Sequence, residues 1–154
     1  MIAAIHYTIE EIVKICKGRW ENKNQLFSKV SYISLDSRKI SYPEETVFFA
    51  IKTKLRDANL FLENIYQKGV RNLVTDDETI DPAQFQEANI IVVDNTIHAL
   101  QELAIHHRDQ FSEKQLKVIG ITGSNGKTIV KEWLNYLLEK DFSIVRSPKS
   151  FNSQ

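Results

Sequence analysis

The stretch VIGITGSNGKTIVKEWL, residues 118–134, carries the reading on which the fold turns. Its apolar opening, within KVIGIT (117–122), predicts a β-strand, and GKTIVKEWLNYLLEK (126–140) predicts an amphipathic helix. FSIVR (142–146) adds a further strand, so the segment reads as a β-α-β unit. Between strand and helix stands Gly123-Ser124-Asn125-Gly126-Lys127-Thr128. The strict phosphate-loop pattern, G-x-x-x-x-G-K-[ST], would place its first glycine at position 121, where Ile121 stands. The shorter glycine spacing still meets the physical requirements. Gly123 and Gly126 can adopt backbone angles closed to other residues and let amides approach an anion. The helix that follows points its positive end at the phosphates. Lys127 can neutralise β- and γ-phosphates, and the Thr128 hydroxyl can ligate Mg²⁺. The competing reading is an ordinary strand-to-helix turn with a solvated lysine. The strand before the loop and the helix after it are the context that favours a nucleotide.

Outward from this loop, strands and helices alternate. TIEEIVKIC (8–16) predicts a short helix with Thr8 and Glu11 as a capping box, Ile9, Ile12, Val13 and Cys16 on one face, and Gly18 as its stop. QLFSKVSYISLDS (25–37) reads as strand material ending in a polar loop, and TVFFAI (46–51) as a buried strand. Leu60, Phe61, Ile65 and Tyr66 lie at helical spacing before Gly69. NLVTDD and NIIVVD predict two more strands. Asn95 or Thr96 caps a helix to about Gln110, with Ile97, Leu100, Leu103, Ala104 and His107 along one side. The pattern is that of an α/β protein with a partly parallel sheet.

Composition excludes several classes. Lys plus Arg equals Asp plus Glu at 20 each, so no overall field points to nucleic acid or a membrane surface. One cysteine, Cys16, allows no internal disulfide, in keeping with a reducing compartment. The amino terminus lacks a basic n-region and a long apolar run, and no stretch approaches the ~20 apolar residues of a membrane span. The expected location is the cytoplasm. The charged segment DQFSEKQLK (109–117) is the candidate boundary, giving a first domain over 1–112 and a second beginning at 117. The β-α-β piece after it is too small to cover both faces of a parallel sheet, so the chain reads as a complete domain followed by the opening of another, and as a fragment.

GITGSNGKT (120–128) resembles the ATP loop of the Mur ligases, the ATP-dependent amide-forming enzymes of peptidoglycan precursor synthesis. Three upstream elements agree in order. LDSRKI (35–40) resembles the family's D-[ST]-R element, VFFAIKTKLRDANLFLENIYQKGV (47–70) its LFFALKG…DGHDFI…GA segment, and NIIVVDNTIHALQELA (89–104) its VVxDT…AL..LA segment. GSNGKT with VKEWL, and the terminal SPKSFNSQ, resemble the branch that joins D-alanyl-D-alanine to UDP-N-acetylmuramoyl-tripeptide. Departures are Ile129 after the loop threonine, Thr53 and Asn59 for a glycine and a histidine, and Ser150 and Ser153 for asparagines.

The resemblance implies a UDP-substrate-binding first domain and the first β-α-β of a phosphate-loop ATPase domain. It implies ATP and Mg²⁺ as cofactors, with Gly123, Ser124, Asn125, Gly126, Lys127 and Thr128 at ATP, Lys127 catalytic, and Thr128 on the metal. Ser37, Arg38 and Asn152 would meet the UDP substrate; from the residues alone, Arg38 reads rather as a surface partner of Asp36. The partners implied are UDP-N-acetylmuramoyl-tripeptide and D-alanyl-D-alanine, with no nucleic acid and no membrane. The fragment alone is expected to be inactive and to self-associate through its last helix. Two alternatives are a non-catalytic UDP-sugar or protein-binding module with a vestigial loop, and another phosphate-loop ligase such as a folylpolyglutamate synthase.

Overall fold

The structure, a computed structural model, describes residues 6–24, 29–111 and 116–147. The chain divides into two compact units, Met1–Glu113 and Lys114–Gln154.

In the first unit, β1 (Tyr7–Thr8) leads into α1 (Ile9–Cys16), followed by β2 (Arg19–Glu21), β3 (Lys29–Val30), β4 (Tyr32–Ser34) and β5 (Thr46–Phe49). Helix α2 (Leu62–Gln67), β6 (Asn72–Thr75), β7 (Asn89–Val92) and α3 (Thr96–Asp109) complete it. One sheet runs β2-β7-β6-β5-β4, and β1 and β3 form a separate antiparallel pair. Strands β4 to β7 are mutually parallel, with Phe48 opposite Leu73 and Leu73 opposite Ile90; β2 closes the far edge antiparallel to β7. Every residue of β5, β6 and β7 is buried. That is why these strands read as continuous apolar runs rather than alternating ones: helices and turns cover both faces of a parallel sheet.

One face carries Val47, Phe49, Val74 and Ile91 against Ile9, Ile12 and Cys16 of α1 and Ala99 and Leu103 of α3. The other carries Phe48, Ala50, Leu73, Ile90 and Val92 against Leu62 and Ile65 of α2 and Phe85. Phe48 and Phe49 are at most 1% exposed, and each such side chain contributes about 1.5–3 kcal/mol by its removal from water.

The expected capping box of α1 is formed. The Thr8 hydroxyl accepts from the Glu11 amide at 3.2 Å, and the Glu11 carboxylate accepts from the Thr8 amide at 2.8 Å. The stop differs from expectation. Lys17, not Gly18, takes the left-handed conformation (φ 54°), and its amide closes the helix on the Lys14 and Val13 carbonyls. Gly18 answers to close packing, since a Cβ there would lie 2.4 Å from Ile91 Cγ2.

Asn95 caps α3, its side chain accepting from the His98 amide at 2.9 Å. The buried face of α3 is Thr96, Ala99 and Leu103, with Leu100 packed beside them; Ile97, Ala104 and His107 are exposed, so the expected face was rotated. The phase of α2 also differs. A 3₁₀ turn over Ala58–Phe61 precedes it, leaving Leu60 exposed and burying Leu62 and Ile65. Ser31 breaks the expected single strand between β3 and β4, its amide donating to the Glu45 carbonyl at 2.9 Å.

In the second unit, α4 (Lys127–Leu138) forms as expected. Residues 117–122 and 142–146 do not form strands. A parallel strand needs a neighbour to complete its hydrogen bonds, and the described residues of this unit contain no strand. Along α4, Trp133 and Leu137 are exposed, while Leu134 and Leu138 are half-buried.

Candidate functional site

The glycine-cornered loop has the backbone its residues predict. Gly123 and Gly126 both have positive φ, 140° and 79°, and Gly126 is the N-cap of α4. Among the described residues no side chain caps this helix, which leaves its first-turn amides without a side-chain acceptor. A Cβ at Gly126 would meet nothing within 4 Å; the glycine is required by backbone conformation, not by space. Lys127 folds back over the loop, its ammonium donating to the Gly123 carbonyl at 2.5 Å. Ser124, Asn125, Lys127 and Thr128 are all exposed. A helix start whose first-turn amides take no side-chain cap among the described residues, with an adjacent ammonium and a hydroxyl at its second residue, fits a phosphate group. For a magnesium ion the loop offers the Thr128 hydroxyl. Among the described residues no three His, Cys, Asp or Glu side chains converge on a metal position. Asn152 lies outside the described residues.

The second set of candidate residues lies in the first unit, where β4, β5, β6 and β7 present their carboxyl ends to one side. Ligands of open parallel sheets bind at that end. Ser37 and Arg38 lie three and four residues past the end of β4. Both guanidinium contacts of Arg38 go to Asp36, Nε to Oδ1 and a terminal nitrogen to Oδ2, each 2.9 Å. Hydrogen bonds from the Arg38 side chain and amide hold the Asp36 carboxyl well below the usual carboxylate range. The ion pair with Asp36 is therefore present, and Arg38, being exposed, remains able to exchange partners. Ser37 is half-buried, and its carbonyl accepts from the Lys68 ammonium at 2.8 Å, which ties the loop to the end of α2.

The neighbouring loop entered the sequence reading only through its family likeness and the departures at Thr53 and Asn59, and none of its residues was named as a binding residue. After β5 the chain turns through Lys52–Asp57, closed by the Thr53 amide on the Arg56 carbonyl at 2.7 Å and by a Lys52–Asp57 ion pair at 3.3 Å. Asn59 then reaches Thr75 and Asp76 at the end of β6. Apart from that likeness, the signal in the residues themselves was the clustering of Lys52, Lys54 and Arg56 directly after a buried strand.

These features define a class: an α/β protein with polar, cationic loops at the carboxyl ends of a parallel sheet, followed in the same chain by a glycine-cornered helix start. Comparison with known proteins is consistent across sequence and structure. The chain is 28% identical over 149 residues, 97% of its length, to UDP-N-acetylmuramoyl-tripeptide–D-alanyl-D-alanine ligase of Bacillus subtilis (strain 168), of which it covers 31%. It is 31% identical over 120 residues, 78% of its length, to UDP-N-acetylmuramoyl-L-alanyl-D-glutamate–2,6-diaminopimelate ligase of Clostridium botulinum, covering 23% of that protein. Among solved structures, MurF from Acinetobacter baumannii superposes with a TM-score of 0.75 at 27% identity, over 91% of this chain and 29% of that one. MurF ligase from Thermotoga maritima, solved in complex with ADP, gives 0.63 at 26% identity, over 84% and 28%. No family model matches the chain.

The chain belongs to the Mur ligase family. It spans about a third or less of the length of the curated relatives just described. Its first unit is a mixed α/β fold of the kind found in these ligases. No helix among the described residues is long and apolar enough to cross a membrane.

Proposed function

We propose that this chain supplies the UDP-substrate-binding domain and the nucleotide loop of an ATP-dependent, MurF-like ligase. In that reaction the γ-phosphoryl group of ATP passes to the terminal carboxylate of UDP-N-acetylmuramoyl-tripeptide. The amine of D-alanyl-D-alanine then attacks the acyl phosphate, an amide forms and phosphate leaves. The observation that carries this reading is the length of the likeness to the Bacillus subtilis ligase, 149 residues, which spans the parallel-sheet unit and the glycine loop together. The loop with Lys127 and Thr128 intact argues against a binding module that has drifted from catalysis.

Phosphoryl transfer needs positioning and charge neutralisation more than covalent help from the protein. The amides from Ser124 to Gly126 and the start of α4 would hold the β-phosphate, and the Lys127 ammonium would leave the Gly123 carbonyl for the γ-phosphate. Thr128 would contribute its hydroxyl to the Mg²⁺ that accompanies the nucleotide. Ser37 and Arg38 would meet the uridine diphosphate, Arg38 by transferring its fork from Asp36 to phosphate oxygens. Asn152 is a further proposed substrate-binding residue. The setting implied is the cytoplasm.

The chain by itself is expected to bind UDP-N-acetylmuramoyl-tripeptide and not to hydrolyse ATP, because its described residues gather no acidic ligands for the metal. Calorimetry with that peptide and a phosphate-release assay test both statements. Absence of binding refutes the substrate assignment, and steady hydrolysis refutes the assignment of inactivity. In the protein extended through its remaining ATPase residues, Lys127→Ala should abolish amide formation while leaving peptide binding intact.

A further inference from the structure

At the carboxyl end of β6, the central strand, side chains from three separate segments share one hydrogen-bonded chain. Thr75, fully buried at the end of β6, donates its hydroxyl to Asn59 Oδ1 at 2.7 Å. The Asn59 amide nitrogen donates to Asp76 Oδ1 at 3.1 Å. The other Asp76 oxygen accepts from the hydroxyl of Thr96, the buried first residue of α3, at 3.4 Å. Asn59 thus uses both ends of its amide, accepting from a buried hydroxyl and donating to a carboxylate. An aliphatic side chain can do neither, and a carboxylate would face Asp76 with like charge. A neutral imidazole can do both.

What this asparagine holds is the basic loop. Asn59 lies in the 3₁₀ turn that Asp57 caps, and Asp57 in turn pairs with Lys52 across the loop. Arg38, the obvious cation at this end of the sheet, has its fork on Asp36. Lys54 and Arg56 are exposed and take part in no ion pair among the described residues. Strands β4 and β5 are adjacent and parallel, so the loops bearing Arg38 and bearing Lys54 and Arg56 leave the sheet side by side.

We infer that Asn59 is a positioning residue, pinning the loop to the end of β6 so that Lys54 and Arg56 meet the diphosphate of the UDP substrate. The inference rests on the substrate reading proposed above. The test is calorimetry of the whole 154-residue chain with UDP and, separately, with uridine, far below the melting temperature. Asn59→Leu should weaken UDP binding about tenfold, the equivalent of ~1.4 kcal/mol, and leave uridine binding within about twofold. Asn59→His should restore UDP binding, since imidazole can bridge Thr75 and Asp76. In a Lys54→Ala/Arg56→Ala background, whose exposed truncations do not threaten folding, Asn59→Leu should have no further effect on UDP affinity.

Equal weakening of UDP and uridine, or a leucine variant indistinguishable from the parent, would overturn the inference. So would a histidine variant no better than leucine, or full additivity with the double truncation. If the unmodified chain binds neither UDP nor uridine, the substrate reading itself falls, and the positioning role with it. If it binds both and only the variants disobey, the substrate reading stands and the role of Asn59 does not.

Discussion

Two neighbouring residues at the end of α1 make opposite predictions, and together they test how this turn is built. Gly18 passes β7 so closely that an added Cβ would lie 2.4 Å from Ile91 Cγ2, 3.0 Å from Val93 Cγ1 and 3.2 Å from the Val92 carbonyl oxygen. Real Cβ contacts essentially never fall below 3.0 Å, so Ile91 would have to move by more than half an ångström. Ile91 is fully buried in the core between the sheet and α1 and α3, and it has nowhere to go. The backbone oxygen cannot yield without disturbing the β2–β7 pairing, in which Arg19 sits opposite Val92. Overpacking of this kind costs about 1–3 kcal/mol, and contact with backbone puts Gly18→Ala near the upper end, about 3 kcal/mol. Lys17 is the reverse case. It bears a side chain in the left-handed region at φ 54°. Relief of that strain, less the added freedom of the unfolded chain, should make Lys17→Gly stabilising by about 0.5 kcal/mol. Urea unfolding followed by Trp20 emission, in a Trp133→Phe background so that only the first unit reports, measures both. With a slope of about 1.5 kcal/mol per molar, Gly18→Ala should lower the midpoint by about 2 M and Lys17→Gly should raise it by about 0.3 M. A neutral Gly18→Ala together with a destabilising Lys17→Gly would show that the close approach to Ile91 is wrong and that the left-handed Lys17 carries no strain to relieve.

Other perturbations follow from the same packing. Asn89 is fully buried; its Oδ1 accepts from the Trp20 indole at 3.1 Å and the Asn24 amide at 2.7 Å, and its amide donates to Asn72 Oδ1 at 2.8 Å. Asn89→Ala strands these groups and should cost about 3 kcal/mol in the same unfolding experiment; a loss below about 1 kcal/mol would count against the network. The Glu11 carboxyl is held below its ordinary value, chiefly by the hydrogen bond from the Thr8 amide and next by that involving the Thr8 side chain. Its folded pKa lies below its unfolded one, so the stabilisation is present above about pH 4.5 and fades as pH falls through the folded value. Melting temperature measured between pH 7 and 3 should therefore drop more steeply for the parent than for Glu11→Gln, and parallel curves would remove the capping box from the account.

How much of this molecule was legible beforehand depended on whether the determinant was local. The capping box of α1 lies within four residues, and the Asn95 cap of α3 sits beside the turn it satisfies. The buried strands β5, β6 and β7 announced themselves as apolar runs because both their faces are covered. The phase of α2 was not legible, since a 3₁₀ turn advances the chain differently from an α-helix and carried Leu60 outward and Leu62 inward. Strand β2, only Arg-Trp-Glu, has no pattern of its own and exists because the end of β7 needs an antiparallel neighbour. The roles of Gly18 and Lys17 exchanged for the same reason: proximity to Ile91 is a fact about the folded sheet, invisible in a helix-stop pattern.

The candidate sites divide along the same line. The glycine loop was legible because its chemistry depends on φ angles and a helix start, both set by residues 123–128 themselves. The basic loop after β5 was not, because nothing in Lys-Thr-Lys-Leu-Arg says where it will be held. Its position depends on Asn59 meeting Thr75, sixteen residues away in sequence, and on Asp76 meeting Thr96, twenty residues further on. A parallel sheet gathers such distant residues at the carboxyl ends of its strands. The polar groups gathered there are therefore ones a reading of consecutive residues passes over, while the candidates it does name, Ser37 and Arg38, lie within four residues of the end of β4.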